Sequence, residues 1–219
     1  MTLRARLNRW LGEFGTEGFP PGWIERAQAL DGLLEKWSGR VSLIGLSGEE
    51  QRAQRYFAEA FAALKYVPRT GTALDIGSGA GSPALPLAIV TPELQWILLE
   101  SRRLKAGFLR EAVRRLRLEN VRVETRRFDD SWGGADYDVV TTRGIKLRGE
   151  MLDNVESRLV TGGRHLWFSS EGILKDAANR LGGRSALRIE GPMRLLSAGN
   201  VQSGWLLVCE RVLEPGCFT

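Results

Sequence analysis

The sequence predicts an α/β fold: a doubly wound, seven-stranded, mostly parallel sheet with an N-terminal helical extension. Three observations point there. From Thr72 onward, short apolar strands alternate with helix-length segments. An acid followed by three alternate glycines, Asp75-Ile76-Gly77-Ser78-Gly79-Ala80-Gly81, joins the first strand to the first helix of that alternation. A second acid, Glu100, closes the next strand.

Residues 1–66 read as helices, and 67–219 as the sheet-bearing domain. Leu3, Leu7, Trp10 and Leu11 recur at helical spacing. Phe19-Pro20-Pro21-Gly22 interrupts them, and a second helix is expected from Trp23 to Trp37 with Ile24, Ala27, Leu30 and Leu34 on one face. Ser47-Gly48-Glu49-Glu50 resembles a helix start with acids in its first turn, and Ala53, Phe57, Ala60, Phe61 and Leu64 continue its apolar side. Pro68-Arg69-Thr70-Gly71 ends the block.

Expected next are strand 72–76, helix 82–90, strand 95–99, helix 103–118, strand 121–125 and strand 137–141. A helix over 148–160, a turn at Thr161-Gly162-Gly163, strand 164–168 and a helix over 172–181 follow. The last strands, 186–190 and 204–211, are joined by only a short Gly/Pro/Asn-containing segment, so an antiparallel end is expected.

Composition narrows the classes. Apolar residues make up 43%, enough for a substantial core. No run of about 18 apolar residues exists, and no apolar stretch follows the basic start, so neither a membrane span nor a secretory leader is expected. Cys209 and Cys217 both lie late in the chain and are read as free thiols of a reducing cytoplasm. With a single histidine, His165, and no cluster of carboxylates, no metal site is expected. The net charge of +5 is concentrated: residues 102–127 hold ten Lys/Arg against three Glu, a net +7. A basic face of this kind suits a polyanion, and Arg102, Arg103, Lys105, Arg110 and Arg114 are its candidate RNA contacts.

The glycine loop carries the chemistry. A dinucleotide fingerprint would place Gly or Ala at position 82, where Ser82 stands. The pattern Asp-x-Gly-x-Gly-x-Gly instead looks like an S-adenosylmethionine loop, whose ligand has no diphosphate to seat on a helix N-terminus. Glu100 at the end of the second strand is placed to accept both ribose hydroxyls, a role shared with nicotinamide sites. Phe128 and Asp129, in Arg127-Phe128-Asp129-Asp130 after the third strand, are candidates to border the adenine. Thr141-Thr142-Arg143-Gly144 follows the fourth strand, where a methyl acceptor should sit. That segment has neither the Asn/Asp-Pro-Pro-aromatic loop of exocyclic-amine methyltransferases nor a nucleophilic cysteine, and Arg143 suits a fixed polar role at the rim. His165 is expected to be a satisfied core residue, and most of the seven tryptophans core as well.

These residues resemble the bacterial small-subunit ribosomal RNA guanine-N7 methyltransferase G family, also called glucose-inhibited division protein B. The resemblance runs from about Glu35 to Phe168 and is strongest over Asp75–Ile89, whose Pro83/Pro86 helix start is unusual among methyltransferases. Leu99-Glu100-Ser101 with Lys105 and Phe108-Leu109-Arg110 is similar to the family's ribose-acid segment, and Thr142-Arg143 to its Ser-Arg. The resemblance implies a class I methyltransferase that uses S-adenosylmethionine, held by Asp75, Gly77, Gly79, Gly81, Ser82, Glu100, Ser101, Phe128, Asp129 and Arg143, with Arg143 also the catalytic candidate. It implies guanine N7 of 16S ribosomal RNA, or the small subunit, as acceptor; a monomer is expected. Three segments depart from the family pattern: Tyr56-Phe57-Ala58-Glu59-Ala60 for His-x-x-Asp-Ser, Ser42-Leu43 for Asn-Leu, and Ser169-Ser170 for Lys-Gly. The rival classes are a non-catalytic RNA-binding protein that retains this fold and a nicotinamide-dependent oxidoreductase. Ser82 and the absence of a Tyr-x-x-x-Lys pair disfavour the oxidoreductase.

Overall fold

The computed structural model describes residues 2–38, 48–129, 136–145, 147, 149–197 and 203–213. The expectations for Ser42-Leu43, Ser47, Asp130, Trp132, Arg148 and Cys217, and for the side chain of Leu11, lie outside the described residues.

The sheet has seven strands in the order β3-β2-β1-β4-β5-β7-β6. They are β1 (Gly71–Ile76), β2 (Leu94–Leu99), β3 (Val121–Glu124), β4 (Tyr137–Arg143), β5 (Leu159–Ser169), β6 (Leu187–Arg194) and β7 (Trp205–Arg211). β1 to β5 pair in parallel, and β7 runs antiparallel to both β5 and β6. The chain order reverses between β1 and β4, which opens a crevice at the carboxyl ends of those strands.

The helices are α1 (Leu3–Phe14), α2 (Trp23–Ser38), α3 (Glu49–Gln51), α4 (Glu59–Ala62), α5 (Ala84–Val90), α6 (Arg103–Leu116), α7 (Glu150–Ser157) and α8 (Glu171–Leu181). Two apolar clusters lie on the sheet's two faces. The larger joins Leu7 and Trp10 of α1, Leu30 and Leu34 of α2, and Phe57 and Phe61 to α5, α6 and the sheet. The N-terminal helices thus share one continuous core with the strands. The second cluster packs α7 and α8 on Leu74, Val140, Trp167 and Leu207. Burial of each such side chain contributes about 1.5–3 kcal/mol. Trp10, Trp96 and Trp167 are fully buried. Polar ties reinforce the helical layer: Trp37 Nε1 donates to Glu111 at 3.1 Å, and Arg52 Nε to Asp31 at 2.5 Å.

Three expectations are corrected. The third helix is not continuous: a π-helical turn, Arg52–Ala58, separates α3 from α4, and a 3₁₀ turn, Leu64–Tyr66, follows. The Gly162-Gly163 turn lies inside β5, where the pairing register with β4 shifts. A Cβ on Gly163 would sit 2.8 Å from the carbonyl oxygens of Tyr137 and Val160, so the glycine admits a bulge rather than ending a strand. Helix α5 starts at Ala84, with Pro83 as its N-cap and Pro86 in the first turn, where a missing N–H costs no helical bond.

His165 lies in the core as expected but is only half satisfied, since its Nδ1 is buried without a partner. It is wholly buried, 2.9 Å from Thr142 Oγ1 and stacked on Trp167, and burial pushes its pKa down to about 3. Glu156 on α7 is the acid of note on the same side. Its Oε2 accepts from Arg184 at 2.8 Å, its Oε1 is buried without a partner, and burial raises its pKa to about 7, against Arg184. A folded-state acid pKa raised above the unfolded value binds protons preferentially in the fold. Its stabilising effect is present below about pH 4.5 and is lost as pH rises through about 7. Thermal melts of wild type and Glu156→Gln should therefore converge near pH 4.5 and separate toward pH 8, with the glutamine variant gaining relative stability across that window.

Candidate active site

The glycine loop turns at the carboxyl end of β1. Gly77, Gly79 and Gly81 all adopt positive φ, at 70°, 55° and 92°. Gly81 and Gly79 have different tasks. A Cβ on Gly81 would lie 2.7 Å from Leu85 Cγ and 3.1 Å from Leu109 Cδ2, so this glycine lets α5 and α6 pack behind the loop. A Cβ on Gly79 would meet only the Gly77 carbonyl, at 3.7 Å, because its open side faces the crevice. The Gly79 N–H donates to Glu100 Oε2 at 2.9 Å, and the Arg102 N–H to Oε1 at 2.7 Å. Two backbone donors thus fix a buried carboxylate at the end of β2, and each oxygen keeps a lone pair for a further donor.

A cleft of about 580 Å³ opens here. Gly77, Gly79, Ser82, Glu100, Ser101, Arg102, Lys105 and Arg143 are among the residues that line it. The other candidates lie elsewhere. Asp75 is buried beneath the loop; its Oδ1 accepts from Thr141 Oγ1 at 2.6 Å, its Oδ2 has no partner, and burial raises its pKa to about 6. Phe128 packs against the second apolar cluster and Asp129 faces Arg126 at 3.9 Å; neither is among the cleft's described lining residues. Arg103, Arg110 and Arg114 are exposed on or beside α6, with Arg110 bonded to Thr125 Oγ1.

Arg143 ends β4 between this cleft and a second one of about 870 Å³. Its Nη1 donates to Ser82 Oγ at 3.1 Å and its Nη2 to Glu59 Oε2. Glu59 is fully buried, and its other oxygen accepts the Gly204 N–H at 2.7 Å. Burial lowers the Arg143 pKa and Glu59 opposes that shift, so the guanidinium stays charged as half of an ion pair. Two further bonds attach the π turn to the loop: Tyr56 Oη donates to the Ala80 carbonyl at 2.6 Å, and Ser82 Oγ to the Tyr56 carbonyl at 3.0 Å.

Glu59, Tyr56 and Arg55 are the site residues missing from the sequence-derived set. Segment 56–60 counts there only as a departure from the family pattern, yet the acid position of His-x-x-Asp-Ser keeps a carboxylate in Glu59, and that carboxylate holds Arg143. A readable signal existed: Glu59 is the lone acid in an apolar run, and Arg143 the lone base closing an apolar strand. Such residues must find partners when buried.

The division among the glycines is testable. Gly81→Ala combines a strained φ, about 1–2 kcal/mol, with overpacking, about 1–3 kcal/mol, and should lower stability in chemical denaturation by the larger amount. Gly79→Ala should lose less stability but weaken S-adenosylhomocysteine binding in calorimetry. A reversal of this order would contradict the assignment.

Comparison with known proteins agrees with this architecture. The family model for "rRNA small subunit methyltransferase G" matches residues 24–179. A ribosomal RNA small subunit methyltransferase G of Neisseria gonorrhoeae is 32% identical over 149 residues, 68% of this chain and 70% of that protein. The enzyme of the same name from Chromobacterium violaceum is 30% identical over 167 residues, 76% of this chain and 79% of that one. Among solved structures, a SAM-dependent O-methyltransferase from Thermotoga maritima shares the fold, with a TM-score of 0.57 at 15% identity over 84% of this chain and 72% of that one. A methyltransferase from Streptococcus mutans in complex with SAH does so with a TM-score of 0.50 at 12% identity, over 70% of this chain and 95% of that one. By the family match and these relatives, the chain belongs to the rRNA small subunit methyltransferase G family.

Proposed function

We propose that this protein binds S-adenosylmethionine in the cleft below the glycine loop and methylates guanine N7 in 16S ribosomal RNA of the small subunit. The observation that carries the reading is Glu100. It is a buried carboxylate held by two backbone N–H groups, with free lone pairs toward a cleft at the sheet's switch point. Glu100 would accept the ribose hydroxyls, while Gly77 and Gly79 admit the ligand's close approach. The cofactor supplies a methyl group on a sulfonium, already activated for displacement.

What remains for the chain is alignment. Guanine N7 presents an unprotonated lone pair, so its attack needs no general base. The acids lining the two clefts are already engaged, Glu100 by two backbone N–H groups, Glu59 by Arg143 and Glu171 by Lys175, and burial raises the Tyr56 phenol's pKa well above its ordinary value. Positioning alone can supply about 7–11 kcal/mol of barrier lowering. Arg143 contributes by holding Ser82 and the wall between the clefts rather than by exchanging a proton. The exposed cations of α6 would carry RNA phosphates beside the cleft. Among the described residues, no helix is long and apolar enough to cross a membrane, and no cluster of metal-binding groups occurs.

The test is transfer of labelled methyl groups to under-methylated small subunits, with the product located by strand scission at N7-methylguanosine. The expected rate is nearly flat from about pH 6 to 9, and His165→Ala should stay within a few-fold of wild type. Glu100→Ala should weaken S-adenosylhomocysteine binding by about 1–3 kcal/mol. Label at another atom, or a bell-shaped profile abolished by His165→Ala, would overturn the N7 mechanism. Tight NAD binding without any response to S-adenosylhomocysteine would overturn the cofactor.

A further inference from the structure

The second cleft shares Arg55, Arg143, Gly144 and Ile145 with the first, so the two open onto each other. Its charges sort into those already paired and those left over. Arg143 is paired with Glu59, and Glu171 with Lys175 at 2.7 Å. Arg55 and Arg194 remain: both are exposed, both line the cleft, and neither makes an ion pair among the described residues. Arg55 lies on the π turn where the two clefts meet. Arg194 stacks over Trp205, 5.4 Å from the ring centre, and Arg143 over Phe168 at 5.6 Å. Phe168 is buried and both rings are already faced by an arginine, so the chamber's free contacts are its two unneutralised cations, which match a nucleotide with phosphates on either side.

Resting on the methyltransferase reading, we propose that the second cleft seats the acceptor nucleotide and that Arg55, not Arg143, is the cation that holds its phosphate at the junction. Guanine N7 lies on the major-groove edge, which is deep and narrow in an RNA helix, so the acceptor must leave any stack to be reached. The 870 Å³ chamber gives the extruded nucleotide a place. Arg143 cannot take the phosphate role as readily, because Glu59 already neutralises it and fixes its direction. Arg55 has no such partner, and its place at the shared wall would hold the nucleotide with its base turned toward the first cleft. Arg194 would take a flanking phosphate from the opposite rim.

The experiment compares wild type, Arg55→Gln, Arg55→Lys and Arg194→Gln. It measures KM for under-methylated small subunits at several salt concentrations and Kd for S-adenosylhomocysteine. Arg55→Gln should raise KM at least fivefold and make the slope of log affinity against log salt shallower by about 0.7–0.9, one phosphate contact. The S-adenosylhomocysteine Kd should stay within twofold, and Arg55→Lys should recover most of the loss. Arg194→Gln should shift KM in the same direction. If Arg55→Gln weakens S-adenosylhomocysteine and leaves KM unchanged, Arg55 binds the cofactor's carboxylate and the proposal is overturned. If neither quantity moves, Arg55 is an ordinary surface cation and the proposal is likewise overturned. Wild type that transfers no methyl group to the subunits would instead overturn the underlying reading, so the two failures are distinguishable.

Discussion

A carboxylate with no solvent exposure has to be paired, and Glu59 is paired from two directions. The Arg143 guanidinium and the Gly204 N–H take one oxygen each. These three residues come from α4, the end of β4 and the approach to β7. Desolvating Glu59 without both partners would cost several kcal/mol. The N-terminal helical layer, the central strand and the antiparallel end of the sheet are therefore held in one relative position. Gly204 is part of that constraint: a Cβ there would sit 2.8 Å from Glu59 Oε2.

The site geometry follows from this tie. Because Arg143 is anchored on the helical side, its remaining reach goes to Ser82, the residue that ends the glycine loop. Ser82 in turn donates to the π turn, which also grips the loop at Ala80 through Tyr56. The loop is thus bonded both to Glu100 across β2 and to the helical layer above it. One guanidinium forms the wall between two clefts, and its charge is already spent on Glu59. The cations still available to an anionic partner are those around it: Arg55 and Arg194 on the second cleft, Arg102 and Lys105 on the first. A basic protein can in this way keep an arginine at its centre as a framework element and present others to nucleic acid.

Much of this was legible in the sequence because it is local. The Asp-x-Gly-x-Gly-x-Gly loop, the strand-end Glu100 and the strand–helix alternation each declare themselves within a few residues, and the structure brings Gly77, Gly79, Ser82, Glu100, Ser101 and Arg143 to one cleft. What stayed hidden is non-local or conformational. The Glu59–Arg143 pair spans 84 positions, and no periodicity links its ends. A π turn closes its hydrogen bonds over five residues instead of four, a difference that apolar spacing over seven residues does not resolve. Gly162-Gly163 looks like a turn in isolation and becomes a bulge only because β4 pairs on both sides of it. Asp75 and Gly81 carry the motif's signature yet sit beneath and behind the loop, because shaping a cleft takes residues that support it as well as residues that face it.

The central claim is that the Glu59–Arg143 pair, rather than either residue alone, holds the molecule in its working arrangement. A double-mutant cycle on stability, with Glu59→Gln, Arg143→Met and both together, measures this directly. The account predicts that each single change strands a buried polar partner, with Glu59→Gln costing about 3–5 kcal/mol. The double variant should then cost clearly less than the sum of the singles. Single effects that simply add, within about 0.5 kcal/mol, would show that the two side chains act independently and would contradict the account.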